Sequence, residues 1–374
     1  MSKKVLVTGG AGFIGSHLVD KLVEMGYEVR TIDSLEPQVH GDEGRIPGYL
    51  NKECEFIEGD VCNRAVLKKA LRGIEIVFHL ASRVGVGQSM YEIERYIKTN
   101  TLGTASLLDI LANEKHNVEK LILASSMSLY GEGKYECKDC GVVYPRLRSP
   151  EQLKRREWGM KCPVCGKPVQ GIPTDEEKPL YPTSVYAISK RDQEEMCLTV
   201  GRTYNIPTVA LRYFNTYGPR QALSNPYTGV AAIFCSRILN NNSPYVFEDG
   251  LQSRDFIHVS DVIEANLLAA EKEGANYEVF NVGTGKPSTV LEIAAILIKK
   301  LGSSVDAHIV KKFRQGDIRH CYADISKIQE KLGFNPEVKF ENGISDLTEW
   351  VQNEKATDQF EKSNKDLEKR RLTI

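Results

Sequence analysis

The segment TGGAGFIG, residues 8–15, constrains the fold more than any other stretch of the chain. It follows a valine-containing apolar run (4–9) and precedes a stretch with helical apolar spacing (12–25). Gly10, Gly12 and Gly15 have the G-x-G-x-x-G spacing of a dinucleotide-binding turn. Such a turn joins the first strand to the first helix of a doubly wound parallel sheet. The sequence therefore predicts an α/β fold with a nucleotide site at this turn.

The glycines of this turn have distinct predicted roles. Gly10 and Gly12 are expected to allow a tight turn and the close approach of a pyrophosphate, and Gly15 to allow close packing of helix against strand. The helix N-terminus offers unpaired N–H groups and the positive end of its dipole to the phosphates. A structural turn without a ligand is the alternative. The predicted cofactor contacts in this segment are Gly9, Gly10, Gly12, Phe13, Ile14 and Gly15.

An acidic residue is expected about 20 positions after the glycines, and Asp33 stands there, at the end of the second predicted strand (27–33). A carboxylate at this point accepts hydrogen bonds from ribose hydroxyls and repels a 2′-phosphate, which predicts NAD and not NADP. Asp60 and Val61 follow the third predicted strand (54–60) and are predicted to line the adenine pocket. A simple turn acid at a strand end is an equal alternative for Asp60.

The remaining patterns outline the architecture. Further β-branched runs at 75–81, 119–126 and 207–213 alternate with helical stretches, including 90–115 and 184–204, which indicates a Rossmann-type doubly wound parallel sheet. After Pro219 this alternation stops. The predicted organisation is an NAD-binding Rossmann domain (1–218), a smaller substrate-binding lobe (219–351) whose segments partly rejoin the first sheet, and a charged tail (352–374) that is a solvated helix or disordered.

Composition narrows the possible partners. The formal net charge of −1 over 374 residues gives no basic field suited to nucleic acid, and no apolar run approaches the length of a membrane span, which is about 18 residues. Neither nucleic acid nor a membrane is therefore predicted as a partner. The nine cysteines include two CxxC pairs and an odd scattered remainder, which indicates a metal site in a reducing compartment. We expect a cytoplasmic protein.

The two CxxC pairs form the pattern of a zinc ribbon, inserted at 134–171. Their spacing of 21 residues is slightly longer than usual, and a glycine follows each pair (Gly141, Gly166). Four thiolates without a histidine suit structural Zn²⁺, and rubredoxin-type iron is not excluded. Two disulfides are the alternative in a secreted protein, and the module is expected to be mainly structural, with substrate gating or an oligomer contact as open roles. The predicted ligands are Cys137, Cys140, Cys162 and Cys165.

Tyr186 and Lys190 are four residues apart on a predicted helix, so both lie on one face. A neighbouring cation favours the phenolate, and it is expected to lower the pKa of Tyr186 from its usual value of about 10. An ordinary solvated helix face is the alternative. The position of the pair, after a dinucleotide fold and a strand that ends at Ser125 and Ser126, indicates an acid/base site.

With these motifs the chain resembles the extended short-chain dehydrogenase/reductase family, and within it the NAD-dependent nucleotide-sugar epimerases and dehydratases. The resemblance covers almost the whole chain except the cysteine segment and the tail. The motifs that carry it, besides TGGAGFIG and Asp33, are HLAS (79–82), SSMSLYG (125–131), YAISK (186–190), RYFNTYGPRQ (212–221), RDFIHV (254–259) and RQGD (314–317).

The resemblance implies roles for the matching residues. Ser126 would hydrogen-bond the sugar hydroxyl that is oxidised, Tyr186 would act as the base, and Lys190 would hold the nicotinamide ribose and tune Tyr186. Asn100 would be a structural and proton-relay residue, and a homodimer through the 90–115 and 184–204 helices is also implied. The other implied cofactor contacts are Leu80, Ala81 and Tyr213, and the other implied substrate contacts are Val86, Gly87, Met127, Asn215, Arg254 and Arg314.

The last three of these residues would contact the substrate diphosphate, because an amide and two guanidinium groups suit phosphate oxygens. Surface or interface ion pairs are the alternative for the two arginines. Dehydratases of the family carry an Asp-Glu pair after the catalytic hydroxyl residue, but here Met127 and Ser128 stand in those places. Neither side chain can do carboxylate chemistry, so the sequence favours 4-epimerisation by transient oxidation at C4.

The substrate is less constrained. The loop SRVGVGQSMYEI (82–93), with the cysteine insert, resembles the 4-epimerases that convert dTDP-L-rhamnose to dTDP-6-deoxy-L-talose. Epimerases of UDP-glucose/galactose, UDP-glucuronate or UDP-N-acetylhexosamine share the catalytic residues and remain the alternative, as does a non-catalytic NAD- or nucleotide-sugar-binding protein. Cys321 stands where the family has a residue beside the sugar ring, and an ordinary core cysteine is equally consistent.

Overall fold

A parallel sheet of seven strands is the centre of the computed structural model, which describes residues 2–41 and 44–374. The predicted strands of the first domain are all present, with ends that differ by a few residues. The strands are β1 (Lys4–Thr8), β2 (Glu28–Asp33), β3 (Glu55–Glu58), β4 (Ile76–His79), β5 (Lys120–Ser126), β6 (Lys134–Cys137), β7 (Gly141–Val143), β8 (Gln170–Ile172), β9 (Thr208–Tyr213), β10 (Asn215–Tyr217), β11 (Tyr245–Val246), β12 (Ser253–His258), β13 (Val279–Val282), β14 (Pro287–Thr289), β15 (His308–Ile309) and β16 (His320–Cys321).

The strand order of the main sheet is β13-β9-β5-β4-β1-β2-β3, and every neighbouring pair is parallel. The order reverses between β1 and β4, so this is a doubly wound Rossmann sheet, as predicted. Ligands of such sheets bind beyond the carboxyl ends of the strands at the point of reversal. Gly9 follows β1 and Leu80 follows β4 at that point, which places the predicted nucleotide turn where the topology requires it.

Helices cover both faces of the sheet and bury two apolar clusters, one against Leu18 and Val262 and the other against Leu107 and Cys197. Among the described residues, no helix has both the length and the apolar composition that a membrane crossing requires. The α-helices are α1 (Phe13–Glu24), α2 (Pro37–His40), α3 (Arg64–Ala70), α4 (Val86–Ser89), α5 (Ile93–Tyr96), α6 (Gly103–Asn113), α7 (Pro150–Lys154), α8 (Val185–Thr203), α9 (Val230–Leu239), α10 (Val259–Glu271), α11 (Val290–Lys300), α12 (Ser326–Leu332), α13 (Phe340–Gln352) and α14 (Phe360–Lys369).

The helix predicted at 90–115 is interrupted. It begins as α5 and ends as α6, and the segment between them, Ile97–Leu102, is π-helical. A π segment inserts an extra residue into the helix turn and is frequent at functional sites. Apolar spacing predicts a continuous helix over this range, because a local widening of the helix hardly changes that spacing. Asn100 lies inside this segment and is fully buried.

The second lobe has its own core, in which α9, α11 and α13 pack around Phe234, Ile293 and Leu347. Its polypeptide also returns to the main sheet, because β13 pairs with β9 and α10 packs against the first apolar cluster. Sequence patterning anticipates this return. The smaller strands β10, β12 and β14, with β16 beside β12, join the lobe to the carboxyl ends of the main sheet.

The cysteine insert is a three-stranded antiparallel sheet of order β7-β6-β8 with the short helix α7. Its first and last strands are paired, with Lys134 opposite Ile172. Tyr135, Val143 and Met160 form a small buried cluster with two of the cysteines. The fold therefore contains the inserted ribbon-like module that the cysteine pattern predicts.

The tail is more ordered and more buried than a solvated or disordered segment. Helix α14 buries Phe360, Ser363, Asn364 and Leu367, and the chain then pairs with residues 313–315. Ile374 exchanges backbone hydrogen bonds with Phe313, and the Gln315 N–H donates to Leu372 O at 2.9 Å. The prediction missed this packing because the apolar residues of the tail are few and widely spaced among charged ones.

Candidate active site

A cavity of about 670 Å³ runs from the glycine turn of β1 to the second lobe. It is lined by backbone and side chains from both parts of the fold, as expected for a ligand site at a domain boundary. Of the predicted cofactor and substrate residues, the cavity wall contains Gly9, Gly12, Phe13, Ile14, Gly15, Asp33, Asp60, Val61, Leu80, Ala81, Val86, Gly87, Ser126, Met127, Tyr186, Lys190, Tyr213, Asn215, Arg254 and Arg314.

The glycine turn differs in detail from its prediction. The positive φ of 73° is at Gly9, where a Cβ would come within 2.9 Å of Ala81 N. Gly10 does not line the cavity, and its Cβ would collide with the hydroxyl of Thr31, so this glycine serves packing against β2. A Cβ on Gly15 would lie 2.1 Å from Gly9 O, which confirms that Gly15 allows the close helix–strand contact. At Gly9, Gly10 and Gly15 the turn is thus too crowded for a side chain, whereas a Cβ on Gly12 would meet only Gly9 O, at 3.3 Å.

The Asp33 carboxylate is fixed at the end of β2. It accepts hydrogen bonds from the N–H groups of Ala11, at 3.1 Å, and Leu35, at 3.0 Å, and it lines the cavity. This orientation suits the acceptance of further bonds from ribose hydroxyls. Asp60 also lines the cavity and accepts from Cys62 N at 2.8 Å, so it is both a turn acid and part of the wall.

Two hydroxyl groups and one ammonium group, from Ser126, Tyr186 and Lys190, come together in the cavity. Ser126 ends β5, and its Oγ accepts a hydrogen bond from Ser128 Oγ at 2.9 Å. Tyr186 and Lys190 lie on α8, whose N-terminus is capped by Ser184 Oγ. Lys190 is buried, and its Nζ donates to Ala124 O at 2.8 Å. The fold therefore brings together the serine, tyrosine and lysine that the sequence separates by up to 64 positions.

The pKa of Tyr186 is not lowered in this structure, contrary to the expectation from its spacing to Lys190. Burial raises the pKa of the phenol, and a hydrogen bond with Ser126 offsets part of that effect. Burial also lowers the pKa of Lys190 to about 7, because the charged ammonium is poorly solvated there. The expectation failed because burial, and not the charge of Lys190, dominates the pKa of this phenol.

Asn100 does not line the cavity, unlike the other implied cofactor contacts apart from Gly10. Its Nδ2 donates to Ser189 Oγ at 2.9 Å and to Arg83 O at 3.1 Å, and its Oδ1 accepts from Arg83 N at 2.7 Å. Ser189 in turn donates to Tyr186 O at 2.8 Å. The side chain thus ties the catalytic helix to the loop after β4.

Two guanidinium groups face the far end of the cavity. Arg254 donates only to carbonyl oxygens, and Arg314 stacks over the Phe247 ring at 4.1 Å. Neither forms an ion pair with a carboxylate among the described residues, so the alternative of structural ion pairs is not what the geometry shows. Two cations without carboxylate partners in one cavity favour an anionic ligand.

Buried polar atoms without partners point to the same conclusion. Among residues 2–41 and 44–374, Asn215 Oδ1, Gln221 Oε1 and Arg314 Nε are buried and have no hydrogen-bond partner. All three residues line the cavity. Since buried polar groups are rarely left unsatisfied, a polar ligand is the expected partner.

Some wall residues carry no sequence signal. Leu367 and Leu372 of the tail line the cavity, as does Tyr227. Their positions depend on how the tail and the second lobe fold back, which local patterns do not encode. Cys321 is buried with Tyr130, Phe214 and Ala323 and does not line the cavity, in agreement with its alternative as a core cysteine.

The four knuckle cysteines also converge. Their Sγ atoms lie within 4.8 Å of one another, and Cys137 Sγ is 3.6 Å from Cys165 Sγ. The glycines after each pair have φ values of 70° and 74°, as tight knuckles require. Four thiols at these separations fit a tetrahedral metal with sulfur ligands at about 2.3 Å. No residue between 134 and 171 lines the cavity, so the module is not part of its wall.

Comparisons with known proteins agree with this geometry. A sequence profile described as "NAD dependent epimerase/dehydratase family" matches residues 5–148 and 162–283, and leaves out residues 149–161, which lie between the two knuckles. A dTDP-L-rhamnose 4-epimerase of Burkholderia thailandensis is 33% identical over 354 residues, covering 94% of this chain and 96% of the relative. A putative UDP-glucose 4-epimerase of Methanocaldococcus jannaschii is 34% identical, covering 94% of this chain and all of the relative.

The crystal structure of a UDP-glucose 4-epimerase from Thermotoga maritima with UDP-glucose has a TM-score of 0.75 and 33% identity, and covers 93% of this chain and 98% of that one. The profile alone matches more than half of the residues, and the two relatives extend over nearly the whole chain. The chain therefore belongs to the NAD dependent epimerase/dehydratase family, and its cofactor is NAD.

Proposed function

We propose that the protein is a nucleotide-sugar 4-epimerase that inverts C4 by transient oxidation. The observation that carries this proposal is a cavity that contains Ser126, Tyr186 and Lys190 together with the dinucleotide turn and two arginines that have no carboxylate partner in the part of the chain that the structure describes. An NAD site at one end and an anion site at the other leave the hydroxyl groups of a sugar beside Tyr186.

NAD+ supplies, when bound, the acceptor and the donor of the hydride exchanged at C4. The turn at Gly9 and Gly12 would hold its diphosphate, Asp33 its adenosine ribose and Lys190 its nicotinamide ribose. Tyr186 takes the C4 hydroxyl proton and later returns it. Because burial raises the pKa of this phenol, nearby positive charge is needed to stabilise the phenolate, and Lys190, one helical turn away, supplies that charge when its amine is protonated.

Ser126 orients the sugar hydroxyl, and its Oγ accepts hydrogen bonds from the N–H of Ser128, at 3.2 Å, and from the Ser128 hydroxyl, at 2.9 Å, which leaves the Ser126 hydroxyl proton to donate. Met127 lines the cavity beside them. Neither Met127 nor Ser128 provides the carboxylate that elimination of water across C5 and C6 requires, which supports epimerisation over dehydration.

For the substrate we favour dTDP-L-rhamnose, converted to dTDP-6-deoxy-L-talose. The support is the loop at 82–93, the relative from Burkholderia thailandensis, and apolar side chains such as Met127 and Leu367 in the wall, which suit the methyl group of a 6-deoxy sugar. UDP-sugars are the alternative, supported by the names of the other similar proteins.

The test is to incubate the purified enzyme with dTDP-L-rhamnose and with a panel of UDP-sugars, and to follow C4 by NMR. Inversion of dTDP-L-rhamnose is the expected result. Inversion of a UDP-sugar alone would replace the substrate but keep the reaction. Net NADH accumulation without inversion of any sugar would refute the epimerase, and binding without turnover would support a non-catalytic protein.

We further propose that the four cysteines bind structural Zn²⁺, with iron as the alternative that metal analysis decides. The thiol separations and the donor set support a closed site with no position for a substrate. The metal would stabilise a module too small to be held by its own apolar cluster. It takes no part in the chemistry at C4 in this proposal, which assumes a reducing cytoplasm.

A homodimer is proposed through the π-helical segment and α8. Leu102 is 51% exposed and Ile188 43% exposed, although both are large apolar residues on neighbouring helices. Thr101 and Asp192 link these helices by a 3.2 Å hydrogen bond, so the two segments lie side by side. Sedimentation of the wild type and of a Leu102→Lys/Ile188→Lys variant tests the proposal, which predicts a dimer for the first and a monomer for the second.

A further inference from the structure

We propose that Arg148, in the cysteine insert, is a positioning residue for the arginine that contacts the substrate diphosphate. The inference rests on the proposed function, because it assumes that Arg254 binds the anionic part of the substrate. It assigns to the insert a role at the cavity although no insert residue lines the wall.

The side chain of Arg148 extends from the insert and contacts the second lobe. Its side chain is only 1% exposed and forms a bidentate ion pair with Glu248, at 2.7 and 3.0 Å. It also donates to Trp158 O in its own module at 3.1 Å and to Asp317 O at 3.3 Å. One guanidinium group thus connects the insert, Glu248 and the backbone of residue 317.

The segment Asp317–Arg319 lies between two arginines. Asp317 and Ile318 line the cavity, and Arg254 donates to Ile318 O at 2.7 Å and to Arg319 O at 3.1 Å. Asp317 O accepts from Arg148. Arg148 therefore binds the carbonyl of residue 317, and Arg254 binds the carbonyls of the next two residues in the chain.

A buried charge network secures the same segment. Arg319 pairs with Glu248 at 3.0 Å and with Asp249 at 2.6 and 2.8 Å, and its backbone N–H donates to the buried carboxylate of Glu132 at 2.7 Å. Glu248 has a φ of 54°, a left-handed conformation that a glutamate adopts only when its surroundings hold it. Without Arg148, the buried carboxylate of Glu248 would have to share Arg319 with Asp249. The segment 317–319 would then have to move to compensate the buried negative charge.

The position of Arg148 between the two CxxC pairs couples it to the fold of the insert. β7 precedes it and α7, capped by Ser149, follows it. When the insert is ordered, the arginine is presented to Glu248 at fixed geometry. If the insert were disordered, Arg148 would no longer reach Glu248. The backbone carbonyls that bind Arg254 would then be less well fixed.

The experiment compares Arg148→Met with Arg155→Met in the NAD-containing enzyme. Arg155 belongs to the same insert but is exposed and pairs only with Glu157. UDP and dTDP are the probes, measured by calorimetry, and the sugar substrate gives KM and kcat. For Arg148→Met we expect nucleotide Kd and substrate KM to rise about tenfold or more, with NAD content and kcat nearly unchanged. Arg155→Met should behave as the wild type.

Three further variants make the result decisive. Arg148→Lys keeps the charge but not the bidentate bond, so an intermediate Kd is expected. If Arg148→Met does not fold, Arg148→Met/Glu248→Met removes both charges and serves in its place. Arg254→Met tests the proposed anion site itself, since unchanged nucleotide binding there would overturn the site and the inference together. Weakened binding in Arg254→Met with wild-type Kd in the Arg148 variants would overturn the inference alone.

Discussion

Lys190 Nζ donates a hydrogen bond to Ala124 O at 2.8 Å, and both groups are buried. This bond ties α8, which carries Tyr186, to β5, which ends at Ser126. The separation of the serine and tyrosine hydroxyls is thus fixed by the secondary structure and not by the long connection between them. An acid/base pair gains from such fixed geometry because little reorganisation is needed during the reaction.

Tyr186→Phe should abolish turnover while leaving the ligand sites intact. The phenol is the only proposed proton carrier at C4, so kcat is expected to fall by about 10²- to 10⁴-fold. NAD content and UDP affinity should stay within twofold of the wild type, because the ring remains in place. NMR at C4 and NAD analysis provide the measurements. Tyr204→Phe, on the exposed end of α8, is the matched control, and normal turnover in Tyr186→Phe would contradict the mechanism.

Deletion of residues 372–374 should weaken substrate binding. The deletion removes the backbone hydrogen bonds from the chain end to residues 313 and 315 on either side of Arg314. We expect KM to rise about tenfold, the effect of losing one or two net hydrogen bonds that position a ligand group. Lys369→Ala, an exposed change in the same tail, is the control. Unchanged KM in the truncated enzyme would show that Arg314 needs no support from the tail.

Removal of the metal should disorder the insert but spare the chemistry. After chelation, limited proteolysis is expected to cut within 134–171, while NAD remains bound and kcat remains near that of the untreated enzyme. By linkage, UDP should raise the affinity of the cysteine site for Zn²⁺, by the same factor as Zn²⁺ raises the affinity for UDP. Cys140→Ser should mimic chelation. An insert that resists protease equally with and without chelator would exclude a structural metal.

Acid should destabilise the protein through its buried histidines. His79 lies between the hydroxyls of Thr8 and Thr104, at 2.8 and 2.9 Å, and burial lowers its pKa to about 3. Between pH 6.5 and that value the unfolded chain binds a proton that the folded chain does not. The free energy of unfolding should therefore fall as the pH falls, by up to about 1.4 kcal/mol per pH unit for this residue.

Urea titrations at several pH values measure this slope, and His79→Asn should reduce it. Burial lowers the pKa of His17 and His320 to about 4, so part of the slope is expected to remain in the variant. An identical slope in wild type and His79→Asn would show that this histidine is not held neutral by the fold.

Much of the site could be predicted because its signals are local. The glycines and Asp33 lie within one βαβ unit, and Tyr186 and Lys190 within one helix turn, so spacing predicts that each set lies together, while the roles of these residues follow from the family resemblance. The sheet follows in the same way from runs such as 4–9 and 27–33. The cavity residues of the tail, including Leu367, could not be predicted, because their burial depends on contacts more than 250 positions away.

Three other features lie beyond local patterns for different reasons. The pKa of Tyr186 depends on desolvation by the whole surrounding fold, which a neighbouring lysine in the sequence does not reveal. The pairing of Arg148 with Glu248 joins residues 100 positions apart, and each alone resembles an ordinary surface charge. Similarly, the widening of the helix around Asn100 leaves the apolar spacing nearly unchanged.

The pairing of Lys134 with Ile172 gives the insert the form of an exchangeable cassette. The chain enters and leaves at adjacent points of one small sheet, so changes in length between them need not shift Ser126 or Tyr186. Duplication, deletion or replacement of the cassette is therefore open to evolution and to protein engineering without rebuilding the catalytic centre. A replacement that lacks an arginine for Glu248 would carry a defect at the far end of the substrate, where sequence comparison of the catalytic motifs would not detect it.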